Sequence, residues 1–225
     1  MTELNDKLKE LQKEVVKGAQ TIYAKGLVEN GEGNVSIRIN KNEIVCTPTS
    51  TNYDRLTPEK IIHMDLDGNV IGSKGLASTE VKMHIAVYRD RPKVRCVIHN
   101  HSTYATILSV LRKNIPIIME QQVIMLGGEI KCSKITEAHT DEMGTSAIEA
   151  LGMNNAAILA NHGTIICGKS QDHAVRFASI LEKLAKIYWG VLQVEEPLEI
   201  PKENLEEHKK MFNSLFASYP RRLKK

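Results

Sequence analysis

Aromatic residues are scarce in this chain: Phe, Trp and Tyr make up 4% of its 225 residues. That leaves little surface for stacking on bases, and a formal net charge of +3 is too small to grip a phosphate backbone, so nucleic acid is not an expected partner. No apolar run comes near the roughly 20 residues that span a bilayer, so no membrane partner is expected either. The first residues, Met1-Thr2-Glu3-Leu4-Asn5-Asp6-Lys7, carry charge where a signal peptide is apolar, and a cytoplasmic location is the expectation. The four cysteines, Cys46, Cys96, Cys132 and Cys167, include no C-x-x-C pair, which argues for buried thiols rather than a disulfide framework. There is no linker rich in Pro, Gly or Ser, so residues 1–225 are expected to form one domain, with 197–225 as a C-terminal helix and tail.

What is present is a regular alternation of helix and strand patterns. Leu4, Leu8, Leu11, Val15, Ala19 and Ile22 recur at spacings of three and four, forming one helical face that Gly26 ends. A polar loop at 29–34 leads into an alternating strand at 35–39, a turn at 40–42 and a returning strand, Glu43–Cys46. Thr57 before Pro58 predicts a helix start, and Asp67-Gly68 a hairpin turn. Residues 75–80 open a helix carrying Val81, Ile85 and Tyr88, followed by a strand at 94–101 and a helix at 102–111. Gly127-Gly128 separates an apolar segment without a clear period from a predicted strand at 129–132. Strands at 156–160 and 165–168 then lie among helices at Asp141–Leu151, 172–190 and 205–216.

The chemistry concentrates around Val97-Ile98-His99-Asn100-His101-Ser102. On an extended strand, residues two apart share a face, so His99 and His101 can close on one metal ion. His162 stands between two apolar strands beside Gly163, and is a candidate third ligand. Three imidazoles suit zinc and leave open positions, as catalytic zinc requires. Glu80 is a candidate fourth ligand or a base beside the metal, although the helix dipole alone also favours a carboxylate there. Ser78 and Thr79 precede the same helix, where hydroxyls and free N–H groups either cap it or bind a phosphate. Asn34, Thr49 and Ser50 lie in two further polar loops that leave strand ends.

The ordered set Gly-Glu-Gly-Asn-Val-Ser (31–36), Thr-Pro-Thr-Ser (47–50), Ala-Ser-Thr-Glu (77–80), Val-Ile-His-Asn-His-Ser (97–102) and Ala-Asn-His-Gly (160–163) resembles the class II aldolase/adducin-head family. The resemblance runs from about residue 4 to residue 192 and implies an α/β/α domain with a largely antiparallel central sheet. It implies one Zn2+ per subunit held by His99, His101 and His162, with Glu80 binding or leaving the metal and acting as base. Gly33, Asn34, Thr49, Ser50, Ser78 and Thr79 fall on the family's phosphate-binding loops. The implied assembly is a fourfold homotetramer with active sites at subunit interfaces. The implied reaction is reversible cleavage of a ketose 1-phosphate, L-fuculose 1-phosphate or similar, to dihydroxyacetone phosphate and an aldehyde.

Three departures matter. The family's aldolases usually have glycine at Ser50 and serine at Thr79. Where they place a proton-donating tyrosine from the neighbouring subunit, this chain has Glu120, while Tyr219 matches a tyrosine of their C-terminal tail. The dehydratase branch, of the methylthioribulose-1-phosphate type, uses a glutamate in the Glu120 loop; the 4-epimerase branch uses an aspartate where Ile124 stands. Dehydration, decarboxylation and epimerisation therefore stand beside aldol cleavage. A noncatalytic module like the adducin head fits less well, because that branch tends to lose the metal ligands kept here.

Overall fold

A computed structural model describes residues 2–29 and 31–217. Its centre is a six-stranded sheet of β1 (Asn34–Arg38), β2 (Glu43–Cys46), β3 (Ile62–Asp65), β4 (Cys96–Asn100), β5 (Ala156–Leu159) and β6 (Gly163–Gly168). The order is β3-β2-β1-β4-β6-β5, and every pairing is antiparallel. Period-two alternation divides the core into two apolar clusters. Val35, Ile37, Cys96, Ile98 and Ile166 face one cluster, and Ile44, Cys46, Val97, Ile165 and Cys167 face the other.

The first cluster is covered by α1 (Thr2–Ala24), α3 (Thr103–Leu111), α4 (Glu120–Leu126), α6 (Gln171–Val191) and α7 (Glu206–Leu215). The predicted face of α1 packs there through Leu11, Val15, Ala19 and Ile22, and Gly26, at φ +66°, ends the helix. Leu11, Val15 and Ile22 each contribute about 1.5–3 kcal/mol by leaving water. The second cluster is covered by α2 (Val81–Asp90) and α5 (Asp141–Leu151). The result is the expected three-layer α/β/α arrangement. Among the described residues, no helix is long and apolar enough to cross a membrane.

Four boundaries differ from the sequence reading. Residues 129–132 make only single bridges, Ile115 with Ile130 and Cys132 with Ile158, rather than a strand, because no run of consecutive partners extends either bridge into a ladder. The unclear apolar segment contains α4, too short for its period to show. Ser78, Thr79 and Glu80 lie just before α2, with Glu80 at the N-cap. Gly163 and Thr164 belong to β6, which shortens the turn carrying His162.

Candidate metal centre and active site

The sheet brings three histidines to one end of its central strands. His99 is the penultimate residue of β4, fully buried between Asn34 of β1 and Ile165 of β6. His101 follows one residue past the strand, and His162 stands in the turn between β5 and β6, after Asn161 at φ +55°. Glycine lets these elements close up. A Cβ on Gly163 would clash with the Asn100 carbonyl oxygen and stand 2.8 Å from the His101 ring. Gly33, at φ +67°, has the His99 carbonyl oxygen 2.5 Å from where its Cβ would be.

Glu80 sits among the imidazoles. Its Oε1 lies 2.7 Å from His162 Nε2, and its Oε2 lies 3.2 Å from His99 Nε2. His101 Nε2 is 2.8 Å from His99 Nε2. The His99 and His162 rings are stacked, 4.8 Å apart and 7° from parallel. One ligand atom from each of Glu80, His99, His101 and His162 lies within 4.8 Å of the others.

Two features bear on whether these atoms suit a metal ion. His99 Nδ1 donates to the Thr164 carbonyl at 2.7 Å, which puts the proton on Nδ1 and leaves Nε2 unprotonated, with its lone pair toward the cluster. His162 Nε2 is buried and lacks hydrogen-bond alignment to anything, despite its 2.7 Å approach to Glu80. Three imidazoles and a carboxylate whose ligand atoms crowd one point form a donor set that fits a divalent ion.

The electrostatics agree. Burial opposes ionisation of Glu80, but the close approach and charge of the His162 and His99 imidazoles outweigh it and hold the carboxyl far below the usual range. Burial, reinforced by His99 and His162, pushes His101 down to about 4, leaving it neutral and able to ligate near pH 7.

The candidate anion loops meet beside this cluster. Asn34 Nδ2 donates to Ser78 Oγ at 2.9 Å and to Glu80 Oε2 at 3.0 Å. Residues 47–50 are zipped to the 76–78 segment by the Pro48–Ala77 bridge and by Thr49 N donating to the Leu76 carbonyl at 3.1 Å. Gly31 packs against the Ser50 and Thr51 backbone, and Tyr53 donates to the Gly33 carbonyl at 2.7 Å. Ser50 and Thr79 are exposed and Thr49 is half-buried. Ser50 is at φ +50°, a conformation that glycine adopts at no steric cost.

Glu120 is not part of this assembly within its own chain. It opens α4, its side chain is 67% exposed, and its carboxylate lies 3.7 Å from His208 Nε2. Tyr219 lies outside the described residues. Sequence spacing to the other histidines gives no role to His84. Its i, i+4 relation to Glu80 was the available signal, and it is fully enclosed against β1.

Comparison with known proteins follows the same lines. Residues 13–189 match the sequence profile of the class II aldolase and adducin N-terminal domain. The chain is 30% identical to L-fuculose phosphate aldolase of Escherichia coli K12 over 190 residues, covering 84% of this chain and 87% of that one. It is 29% identical over 181 residues to 3-oxo-tetronate 4-phosphate decarboxylase of Escherichia coli O6:H1, covering 79% and 85%. A solved structure of L-fuculose 1-phosphate aldolase superposes with a TM-score of 0.86 at 27% identity, covering 91% of this chain and 96% of that one. With most of its length matched in sequence and shape, the chain belongs to the class II aldolase and adducin N-terminal domain family, as an enzyme of the lyase type.

Proposed function

We propose that this protein is a zinc-dependent aldolase that reversibly cleaves a ketose 1-phosphate, L-fuculose 1-phosphate or a close analogue, to dihydroxyacetone phosphate and an aldehyde. The observation that carries this reading is the Glu80 carboxylate, seated between His99 and His162 and tied by Asn34 to the polar loops. His99, His101 and His162 would hold the ion, and an all-imidazole set favours zinc. When bound, the ion supplies Lewis acidity, stabilising the negative charge that develops on the substrate's carbonyl oxygen.

This chain's residues supply the rest. Asn34, Ser78 and Thr79, with the backbone at Gly33, Thr49 and Ser50, would hold the phosphate, so that one carbon–carbon bond is presented for cleavage. A base takes the proton from the hydroxyl on the carbon that becomes the aldehyde. The bond electrons flow to the ketose carbonyl; the base releases its proton to solvent, and Glu80, after taking one up from solvent with substrate in place, delivers it to the carbon left behind, completing dihydroxyacetone phosphate. In the reverse direction Glu80 removes that proton. The hydroxyl base is assigned to Glu120 or Tyr219 of an adjacent subunit in a homotetramer, since Glu120 stands away from its own chain's cluster.

A second reading is decarboxylation of a phosphorylated keto acid. The similarity to 3-oxo-tetronate 4-phosphate decarboxylase favours it. Product analysis of the metal-loaded protein separates the two. Dihydroxyacetone phosphate from ketose 1-phosphates supports the aldolase, whereas carbon dioxide from 3-oxo acid phosphates with no aldol cleavage replaces it.

A further inference from the structure

A buried polar seam runs from Glu80 along α2 and β1, through a contact that is otherwise apolar. Glu80, His84 and Tyr88 are spaced by four and so line one side of the helix. Asn34, Ser36 and Arg38 are spaced by two and share one face of the strand. They pair rung by rung. Asn34 Nδ2 donates to Glu80 Oε2 at 3.0 Å. Ser36 Oγ lies 2.7 Å from His84 Nδ1 and 2.9 Å from the Tyr88 hydroxyl, which also donates to the Ser36 carbonyl at 2.9 Å. Arg38 Nη2 donates to the Tyr88 carbonyl at 2.6 Å, and its guanidinium lies 4.7 Å from the Tyr88 ring centre.

The spacings match because two strand residues advance about 6.6 Å and four helical residues about 6.0 Å. A slip of α2 by one turn would therefore bring His84 to the rung that Glu80 occupies. An apolar contact would resist such a slip weakly, whereas a line of different polar partners permits only one register.

Stability alone does not account for this seam. Ser36, His84 and Tyr88 are enclosed to within 1% of full burial, and His84 Nε2 has no hydrogen-bond partner. A buried polar atom without a partner costs stability that a phenyl ring in its place would not. The imidazole stands one turn behind the carboxylate on which the reaction depends, gripped through the strand that also grips that carboxylate.

We propose that Ser36 and His84 are positioning residues: the Ser36–His84 bond fixes the axial placement of α2 on β1, and so holds the Glu80 carboxylate against the Nε2 atoms of His99 and His162. The proposal rests on the metal-dependent reading above and adds to it two residues that touch neither ion nor substrate.

The test uses the full-length protein loaded with Co(II), whose visible d–d bands report the ligand set independently of turnover. The variants are Ser36→Ala, His84→Phe, His84→Asn and, as reference, Glu80→Gln. Ser36→Ala and His84→Phe should lower kcat roughly 10–100-fold with KM little changed. Their cobalt bands should shift toward those of Glu80→Gln, while thermal stability stays near wild type. His84→Asn, whose amide can replace Nδ1 opposite Ser36, should recover most of the loss.

Wild-type kcat and cobalt bands in Ser36→Ala would overturn the proposal, even if His84→Phe failed to fold. So would His84→Asn as impaired as His84→Phe. Wild-type protein that takes up no cobalt and cleaves no substrate would sink the metal-dependent reading. Intact wild-type protein with unaffected variants would sink the seam alone.

Discussion

Replacing Glu80 with glutamine isolates the proton that the account assigns to it. The substitution keeps the length and shape of the side chain and an oxygen able to accept from Asn34, which stands 3.0 Å from Oε2. It removes the charge that sits 2.7 Å from His162 and 3.2 Å from His99, and with it the capacity to carry a proton. Positioned acid–base groups contribute about 10²–10⁴-fold in rate, corresponding to roughly 3–5 kcal/mol of barrier. E80Q should therefore lower kcat by about that factor, with KM changing far less. The assay is paired: steady-state cleavage, and exchange of the carbon-bound proton of dihydroxyacetone phosphate with heavy water in the absence of aldehyde. Exchange should fall at least as far as cleavage, because it isolates the step assigned to Glu80. Unchanged exchange in E80Q, with metal content intact, would refute the reasoning.

Gly163→Ala should cost about 1–3 kcal/mol of stability, because its Cβ meets the Asn100 carbonyl, a backbone group that cannot swing aside, as well as the His101 ring; thermal unfolding of metal-free protein measures it. Acidification should destabilise the metal-free fold through His84, whose pKa burial lowers to about 3 from an ordinary 6.5. Between those values the unfolded chain binds a proton that the native state does not, so stability rises with pH and is lost as pH falls through that window. This group alone contributes up to about 1.4 kcal/mol per pH unit. Urea titrations at pH 7 and pH 5 should show the loss, and His84→Asn should reduce it. Glu120→Gln should lower kcat about 10²-fold without altering zinc stoichiometry or stability, since its contact with His208 is exposed. Wild-type turnover in that variant would pass the hydroxyl-base role to Tyr219.

Much of the site was legible because its chemistry follows local periodicity. The two-residue spacing of His99 and His101 turns both the same way along an extended chain, even though His101 lies one residue past β4, and the structure brings His162 and Glu80 to the same group. The loops at Asn34 and Ser78 could be read singly as turns and caps; only the fold shows them hydrogen-bonded to each other across 44 residues of sequence. His84 escaped notice because its partners, Ser36 and Tyr88, mean nothing until β1 is laid against α2. The 129–132 segment has a strand's composition but finds only single bridges, and pairing partners are a tertiary fact. Glu120 is uninformative within one chain, because the role proposed for it depends on a neighbouring subunit.

The most direct measurement strips the purified protein with a chelator, restores one equivalent of zinc per chain, and follows dihydroxyacetone phosphate release from L-fuculose 1-phosphate and related ketose 1-phosphates. Release should vanish on stripping, return at about one zinc per chain, and fail to return in variants lacking His99 or His162. Release that persists at full rate without metal, or no release from any of these substrates with zinc bound, would contradict the zinc-dependent reading.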